Sequence, residues 1–142
     1  MKVRVLLVDD EEQFVETLAQ RLEARDFAVA TAFNGDQALE YIREKDVDVV
    51  VLDVLMPGLT GIDTLREMKR IRPLTEVIML TGHATVETAI EGMKLGAFDY
   101  LMKPTEIDDL VDKINKAQKR KSEHEERIQK ATIERITQTR GF

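Results

Sequence analysis

Asp9-Asp10, Asp53, Thr81 and Lys103 each stand where a short apolar run stops. Val5-Leu6-Leu7-Val8 runs into the first pair and Val49-Val50-Val51-Leu52 into Asp53. Val77-Ile78-Met79-Leu80 runs into Thr81, and Phe98 to Met102 into Lys103-Pro104. Brought together, three carboxylates, one hydroxyl and one ammonium define a narrow chemistry. Carboxylates a few ångströms apart repel and raise one another's pKa. A hard divalent cation relieves that repulsion, and Mg²⁺ prefers an octahedral oxygen shell with several waters retained. Three negative charges against Mg²⁺ and one lysine sum to about zero, which leaves the site ready for a dianionic phosphoryl group. Phosphoryl transfer needs mainly positioning and charge neutralisation, and an aspartate oxygen can be the nucleophile.

Each residue alone has a plainer explanation. Asp10 followed by Gln13 is a capping-box pattern that would start a helix. Asp53 could form a turn before Pro57-Gly58, although Asp is disfavoured in the Val/Leu run that it interrupts. Thr81 and Lys103 are ordinary residues for strand ends. The joint occurrence at four strand ends carries the weight, because open parallel sheets bind ligands at the carboxyl ends of their strands.

The elements that must position these residues follow from periodicity. Apolar runs near Val3–Val8, Phe27–Ala32, Val47–Leu52, Val77–Leu80 and Phe98–Met102 read as strands. Between them, Phe14, Val15, Leu18, Ala19 and Leu22 mark a first helix, and Ala38, Leu39 and Ile42 a second after the Asn34-Gly35 turn signal. Gly58 and Gly61 bracket a loop before the helix of Ile62, Leu65 and Met68. Val86, Ala89, Ile90 and Met93 form the stripe of a fourth helix, with Gly96 suited to its C-cap. Strands alternating with single helices imply right-handed βαβ units and helices on both sheet faces. The fold class is a doubly wound α/β domain.

A fifth helix is expected after Pro104, with Thr105 as N-cap and Ile107, Leu110, Val111, Ile114 and Ala117 facing the sheet. From Gln118 to Arg127 the apolar stripe vanishes, and pairs such as Lys119–Glu123 and Lys121–Glu125 support a solvated continuation. Ile128, Ile133 and Ile136 then restore apolar character. The expected organisation is one domain over residues 1–117 and a C-terminal helical extension over 118–142. The 142 residues contain no cysteine, which removes disulfides and thiolate metal sites. A net charge of −6 argues against direct nucleic-acid binding. Charge interrupts every apolar run before it could span a bilayer. A soluble cytoplasmic protein is expected.

Asp9-Asp10, Asp53 with Met56-Pro57-Gly58, Thr81-Gly82 and Lys103-Pro104 resemble the receiver domain of bacterial two-component response regulators, from about Met1 to about Ala117. The resemblance implies a flavodoxin-like five-stranded sheet of order 2-1-3-4-5 and a cis Lys103-Pro104 peptide. It implies that Asp53 takes a phosphoryl group from a sensor histidine kinase or phosphotransfer protein. Asp10 and Asp53 would ligate Mg²⁺, with Asp9 acting through water and the Leu55 carbonyl completing the protein ligands. Lys103 would contact the phosphoryl oxygens, Thr81 would move toward them, and Tyr100 would turn inward as an aromatic switch. The surface of the fourth helix, fifth strand and fifth helix would then change, controlling a partner or a homodimer. Such a chain assists its own phosphorylation and dephosphorylation and is not otherwise an enzyme.

Three positions tune the lifetime of the phosphorylated state in this reading. Leu55 has no polar group to orient a hydrolytic water, Gly82 leaves the phosphoryl group open, and His83 is either a surface residue or a third contributor. The runs Leu80 to Val86 and Gly96 to Leu101 resemble receivers of enhancer-binding transcription activators, here without the output domain. The rival is a Mg²⁺-dependent aspartate-nucleophile phosphohydrolase, which needs an acid two residues beyond the nucleophile, where this chain has Leu55.

Overall fold

The computed structural model describes residues 1–56, 58–83 and 85–140. Pro57 of the Met56-Pro57-Gly58 stretch, Ala84 of the run after Thr81, and Gly141–Phe142 lie outside the described residues. Strands β1 (Arg4–Val8), β2 (Ala28–Ala32), β3 (Val49–Leu52), β4 (Glu76–Thr81) and β5 (Asp99–Met102) alternate with helices α1 (Glu12–Glu23), α2 (Gly35–Glu44), α3 (Gly61–Ile71), α4 (Val86–Lys94) and α5 (Ile107–Arg140). The sheet is parallel, in the order β2-β1-β3-β4-β5. That is the doubly wound topology expected above.

The central strands are apolar on both faces because both faces are covered. Leu6, Val8, Val50, Leu52, Val77 and Met79 point to one side and meet α2 and α3. Val5, Leu7, Val49, Val51, Ile78 and Leu80 point to the other and meet α1 and α5. Each such side chain contributes about 1.5–3 kcal/mol by leaving water. The two half-cores hold the sheet rigid beneath its carboxyl edge, where the candidate residues stand.

Several local expectations change. Helix α1 begins at Glu12 with no side-chain cap, so Asp10 does not cap it and stays exposed. Asn34 is the N-cap of α2, accepting from the Gln37 N–H, rather than the start of a turn. Gly61 belongs to the first turn of α3, which packs on the Asp53 and Val54 backbone so closely that a β-carbon would clash. In α5, the first helical bonds run to the Glu106 carbonyl, which puts Glu106 rather than Thr105 at the cap.

Helix α4 forms where its apolar stripe lies, and Gly96 closes it with φ +102° while the Ala97 N–H bonds back to Gly92. The stripe does not face the core. Val86 is 72% exposed, Ile90 and Met93 are exposed as well, and α4 instead buries Gly92 against the Met79 side chain. Close approach at a residue without a side chain fixes the helix and turns its apolar stripe outward.

The fifth helix corrects the expectation of a solvated continuation in the turn just past Ala117. Its buried stripe of Leu110, Ile114 and Ala117 continues into Lys121, which is 2% exposed. Lys121 Nζ lies 3.3 Å from Asp48 Oδ1, 3.6 Å from Asp46 Oδ2 and 3.4 Å from Glu125 Oε2. Arg4 also binds Asp48, through its backbone N–H at 2.8 Å and Nη2 at 3.0 Å. Arg120 Nε sits 2.7 Å from buried Glu76 Oε2, and its guanidinium lies over Phe98. Long cationic stems pack like apolar groups while their heads find acids. The helix runs unbroken through residue 117, and its side chains are exposed from Glu125 to Gln138.

Candidate functional site

Backbone bonds bring the strand-end residues into register. Asp9 N–H donates to the Ala32 carbonyl at 3.2 Å and Asp53 N–H to the Val8 carbonyl at 2.9 Å. Lys103 N–H donates to the Thr81 carbonyl at 2.9 Å. The sheet therefore sets Asp53 beside Asp9 and Lys103 beside Thr81. Each side chain is then turned by a short loop bond. Asp9 Oδ1 accepts from Glu11 N–H at 3.0 Å, Asp53 Oδ1 from Leu55 N–H at 3.4 Å, and Thr81 Oγ1 from His83 N–H at 3.0 Å. This i to i+2 pattern is what Asp and Thr do readily at the end of a strand.

The three acids converge. One carboxylate oxygen from each of Asp9, Asp10 and Asp53 lies within 4.8 Å of the others. Asp9 and Asp53 are buried, whereas Asp10 faces solvent. Lys103 Nζ lies 2.6 Å from Asp9 Oδ2, 3.3 Å from Glu11 Oε1 and 3.9 Å from Asp53 Oδ2. An open cleft of about 410 Å³ lies over them, lined by Asp10, Glu11, Asp53, Leu55, Met56 and His83. Of the three positions expected to tune the phosphorylated state, Leu55 and His83 share the cleft with Asp53, and a side chain at Gly82 would meet open space.

The electrostatics follow from burial. Enclosure pushes the Asp53 carboxyl above its ordinary value, and the Asp9 charge adds to this, against the opposing pull of the Thr81 hydroxyl, Lys103 and the Leu55 N–H. Burial disfavours the Lys103 ammonium, yet Asp9, then Asp53 and Glu11, outweigh it and hold its pKa above the ordinary lysine value. The donor set fits a hard divalent ion: it is all oxygen, it carries excess negative charge, and its most enclosed member is the one burial penalises. Among the described residues this is the one group of three or more acidic or histidine ligands close enough to share an ion.

Tyr100 packs against the α2–α3 half-core, and its hydroxyl lies 3.0 Å from Thr88 Oγ1. Thr88 forms the reciprocal capping box of α4 with Thr85. Thr81, the cap of α4 and Tyr100 thus form adjoining steps between the acid cleft and the α4–β5 surface. The Lys103-Pro104 peptide is cis. Two residues near Lys103 escaped the sequence reading. Glu11 was legible as a third consecutive acid, whereas Phe14, whose ring centre lies 4.1 Å from Lys103 Nζ, reads in sequence only as a core-facing helix position.

The chain is similar to proteins of known kind. Residues 5–115 match the family model of the response regulator receiver domain. The transcriptional regulatory protein ZraR of Salmonella typhimurium is 40% identical over 116 residues, which span 82% of this chain and 26% of that protein. A CheY-like receiver domain protein from Methanospirillum hungatei superposes with a TM-score of 0.84 at 27% identity, over 87% of this chain and 99% of its own. A receiver domain protein from Clostridium thermocellum does so at 0.80 and 41% identity, over 84% and 97%. The chain spans about a quarter of the length of the curated relatives it matches. Among the described residues no helix is long and apolar enough to cross a membrane. With a parallel sheet of this order, acids and a lysine gathered at its carboxyl edge, and a family match over most of its length, the chain belongs to the response regulator receiver domain family.

Proposed function

We propose that Asp53 is the phosphoacceptor, taking its phosphoryl group from a phosphohistidine on a sensor histidine kinase or a phosphotransfer protein. The supporting observation is the contrast between the two buried acids. Both oxygens of Asp9 are engaged, one by the Glu11 N–H and one by Lys103 at 2.6 Å. Asp53 is held more loosely, at 3.4 Å from the Leu55 N–H and 3.9 Å from Lys103 Nζ with the Thr81 hydroxyl beside it, so an oxygen lone pair is available for attack. That oxygen bonds to phosphorus, the phosphorus–nitrogen bond breaks, and its electron pair returns to the donor imidazole. The product is an acyl phosphate on Asp53.

Lys103 stands within reach of the incoming oxygens and stays protonated because acids surround it. Asp10 and Asp53 would hold Mg²⁺, with Asp9 acting through water and the Leu55 carbonyl as a further ligand. Bound there, the ion neutralises charge on the phosphoryl oxygens. Thr81 moves its hydroxyl toward the phosphoryl group, giving up the His83 N–H, and Tyr100 turns into the space that this opens. The apolar position Leu55 cannot align a hydrolytic water, which disfavours a phosphohydrolase. The chain changes only its own state and turns over no other substrate.

The readout surface is the face of α4, β5 and α5. Exposed Val86, Ile90 and Met93 on α4 and exposed Met102 on β5 offer apolar area there. Ile128, Ile133 and Ile136 offer more along the 118–142 extension. A second copy of the chain or a downstream protein would cover them, in the cytoplasm and without direct contact to nucleic acid. The test is incubation with acetyl phosphate and Mg²⁺ followed by intact-mass analysis. One phosphate should add to the wild type and none to Asp53→Asn. Unchanged phosphorylation of Asp53→Asn would overturn the assignment.

A further inference from the structure

The contact between Phe14 and Lys103 has no role in the chemistry described so far. Phe14 lies on the first full turn of α1, half-buried, and its ring centre is 4.1 Å from Lys103 Nζ. This is well within the distance at which an aromatic face attracts a cation. The ring forms part of two walls. On one side it lines a cleft of about 300 Å³ between α1 and the start of α5, together with Leu18, Arg21, Pro104 and Ile107. On the other it borders the small space beside Asp9 and Asp53. Lys103 lines the α1–α5 cleft as well, and the Phe14 ring covers its ammonium from the side of α1 while the acids face it from the other.

We infer that Phe14 is a positioning residue for phosphorylation, its ring face holding the Lys103 ammonium over the acid pair. This rests on the reading of Asp53 as phosphoacceptor and of Lys103 as the cation beside it. The reason a holder is needed lies in the geometry. Lys103 is drawn to three carboxylates at once, at 2.6, 3.3 and 3.9 Å, and the nearest is Asp9 rather than the attacking acid. A divalent ion bound by the acids would compete for Asp9 and weaken the short ion pair. Glu11, mostly exposed at the rim, would then draw the ammonium out of the cleft. The ring carries no formal charge and is untouched by that competition. It attracts the cation from the side of α1, so the ammonium keeps its place when the ion pairing is rearranged. A leucine would fill much of the same volume without the negative π face.

The experiment compares wild type, Phe14→Leu, Phe14→Tyr and Phe14→Leu in a Lys103→Met background, with acetyl phosphate as donor and saturating Mg²⁺. Phe14→Leu should lower the maximal phosphorylation rate about 3- to 30-fold, the range spanned by partly desolvated cation–π contacts. Phe14→Tyr should restore it. In the Lys103→Met background the same substitution should change the rate by less than about twofold. The spectroscopic mark is the upfield ring-current shift of the Lys103 ε-methylene protons, present in wild type and Phe14→Tyr and lost in Phe14→Leu. An unchanged rate in Phe14→Leu, or an equal loss with and without Lys103, overturns the inference while leaving Asp53 in place. Phosphorylation that survives Asp53→Asn overturns the underlying reading instead.

Discussion

Asp53→Asn should stabilise the metal-free protein and destabilise it relative to wild type once Mg²⁺ is present. Asp53 is 3% exposed, and burial pushes its carboxyl above the ordinary value, so the charged form is the costly one. At an effective dielectric of about 20, the Asp9 carboxylate repels it by about 3.5 kcal/mol at the 4.8 Å limit of the cluster. The Lys103 ammonium at 3.9 Å attracts it by about 4 kcal/mol on the same scale. These nearly cancel, and the Thr81 hydroxyl offsets only part of the cost of burying the charge, which leaves roughly 1–3 kcal/mol. Asparagine keeps the shape and the acceptor for the Leu55 N–H and can donate to Asp9. A net gain of about 1–2 kcal/mol follows in chelator. With an unfolding entropy of about 0.3 kcal/mol per degree for a chain of 142 residues, Tm should rise by about 3–7 °C. Mg²⁺ at a hundred times its Kd adds about 2.7 kcal/mol, or about 9 °C, to the protein that binds it. The variant, with one ligand charge removed, should gain little. Calorimetric melts in chelator and in Mg²⁺, at matched ionic strength, measure both effects. An Asp53→Asn variant that melts below wild type in chelator, or that gains as much from Mg²⁺, would refute the argument that burial cost and cation binding meet at this carboxylate.

Other outcomes follow from the same coordinates. Leu55→Asn or Leu55→Glu should speed loss of the aspartyl phosphate by supplying a polar group that aligns water. Enlarging Gly82 should slow it, and because a side chain there meets nothing within 4 Å the fold should tolerate the change. Decay followed by mass or radiolabel checks both. Lys121→Met removes the cation from the Asp46–Asp48–Glu125 cluster and should cost about 3 kcal/mol, read by urea unfolding. Burial alone would raise the Asp48 carboxyl, but bonds from Arg4 and Lys121 outweigh it and set its pKa below the ordinary 3.8. Its stabilisation is therefore present above 3.8 and lost as pH falls through the depressed value, so Asp48→Asn should flatten the acid limb of the stability curve. Beryllofluoride should strengthen self-association or partner binding, and truncation after His124, which spares Arg120 and the buried Lys121, should weaken it, as sedimentation would show. Equal behaviour of full-length and truncated proteins in both states would remove the extension from the relay.

The site was legible because its residue types conflict with their surroundings. A carboxylate closing a run of valines and leucines is out of place unless something at the end of the strand needs it, and this happens at β1 and again at β3. Parallel pairing then supplies the third dimension, since the carboxyl ends of adjacent strands can only meet at one edge. What escaped was of another kind. The α4 stripe of Val86, Ile90 and Met93 announced an apolar face, and periodicity cannot say whether that face looks inward or outward. Packing decided it, through Gly92 on Met79. Lys121 looked solvated because its partner Asp48 is 73 residues away in sequence, and a lysine among charged neighbours carries no sign of burial. Phe14 looked like core because an aromatic at helical spacing reads the same over an aliphatic neighbour or a cation.

The α4 stripe and Lys121 both fall on the helices that flank β5. Helix α5 is tied to the far end of the sheet by Lys121 on Asp48 and Arg120 on Glu76, so its exposed continuation leaves the domain in a direction the sheet determines. Helix α4 is tied by the Gly92 contact, the Thr88–Tyr100 bond and a solvent-exposed Arg66–Glu91 ion pair at 3.7 Å, with its apolar side left uncovered. A shift at Thr81 therefore meets a firmly anchored helix on one side of β5 and a lightly held one on the other. The lightly held one has to yield. Movement of α4 against a fixed α5 would change the apolar surface between them. Tyr100→Ala, which removes the Thr88 bond, should accordingly raise amide exchange in α4 severalfold while leaving α5 protected. Equal loosening of both helices would place the hinge elsewhere.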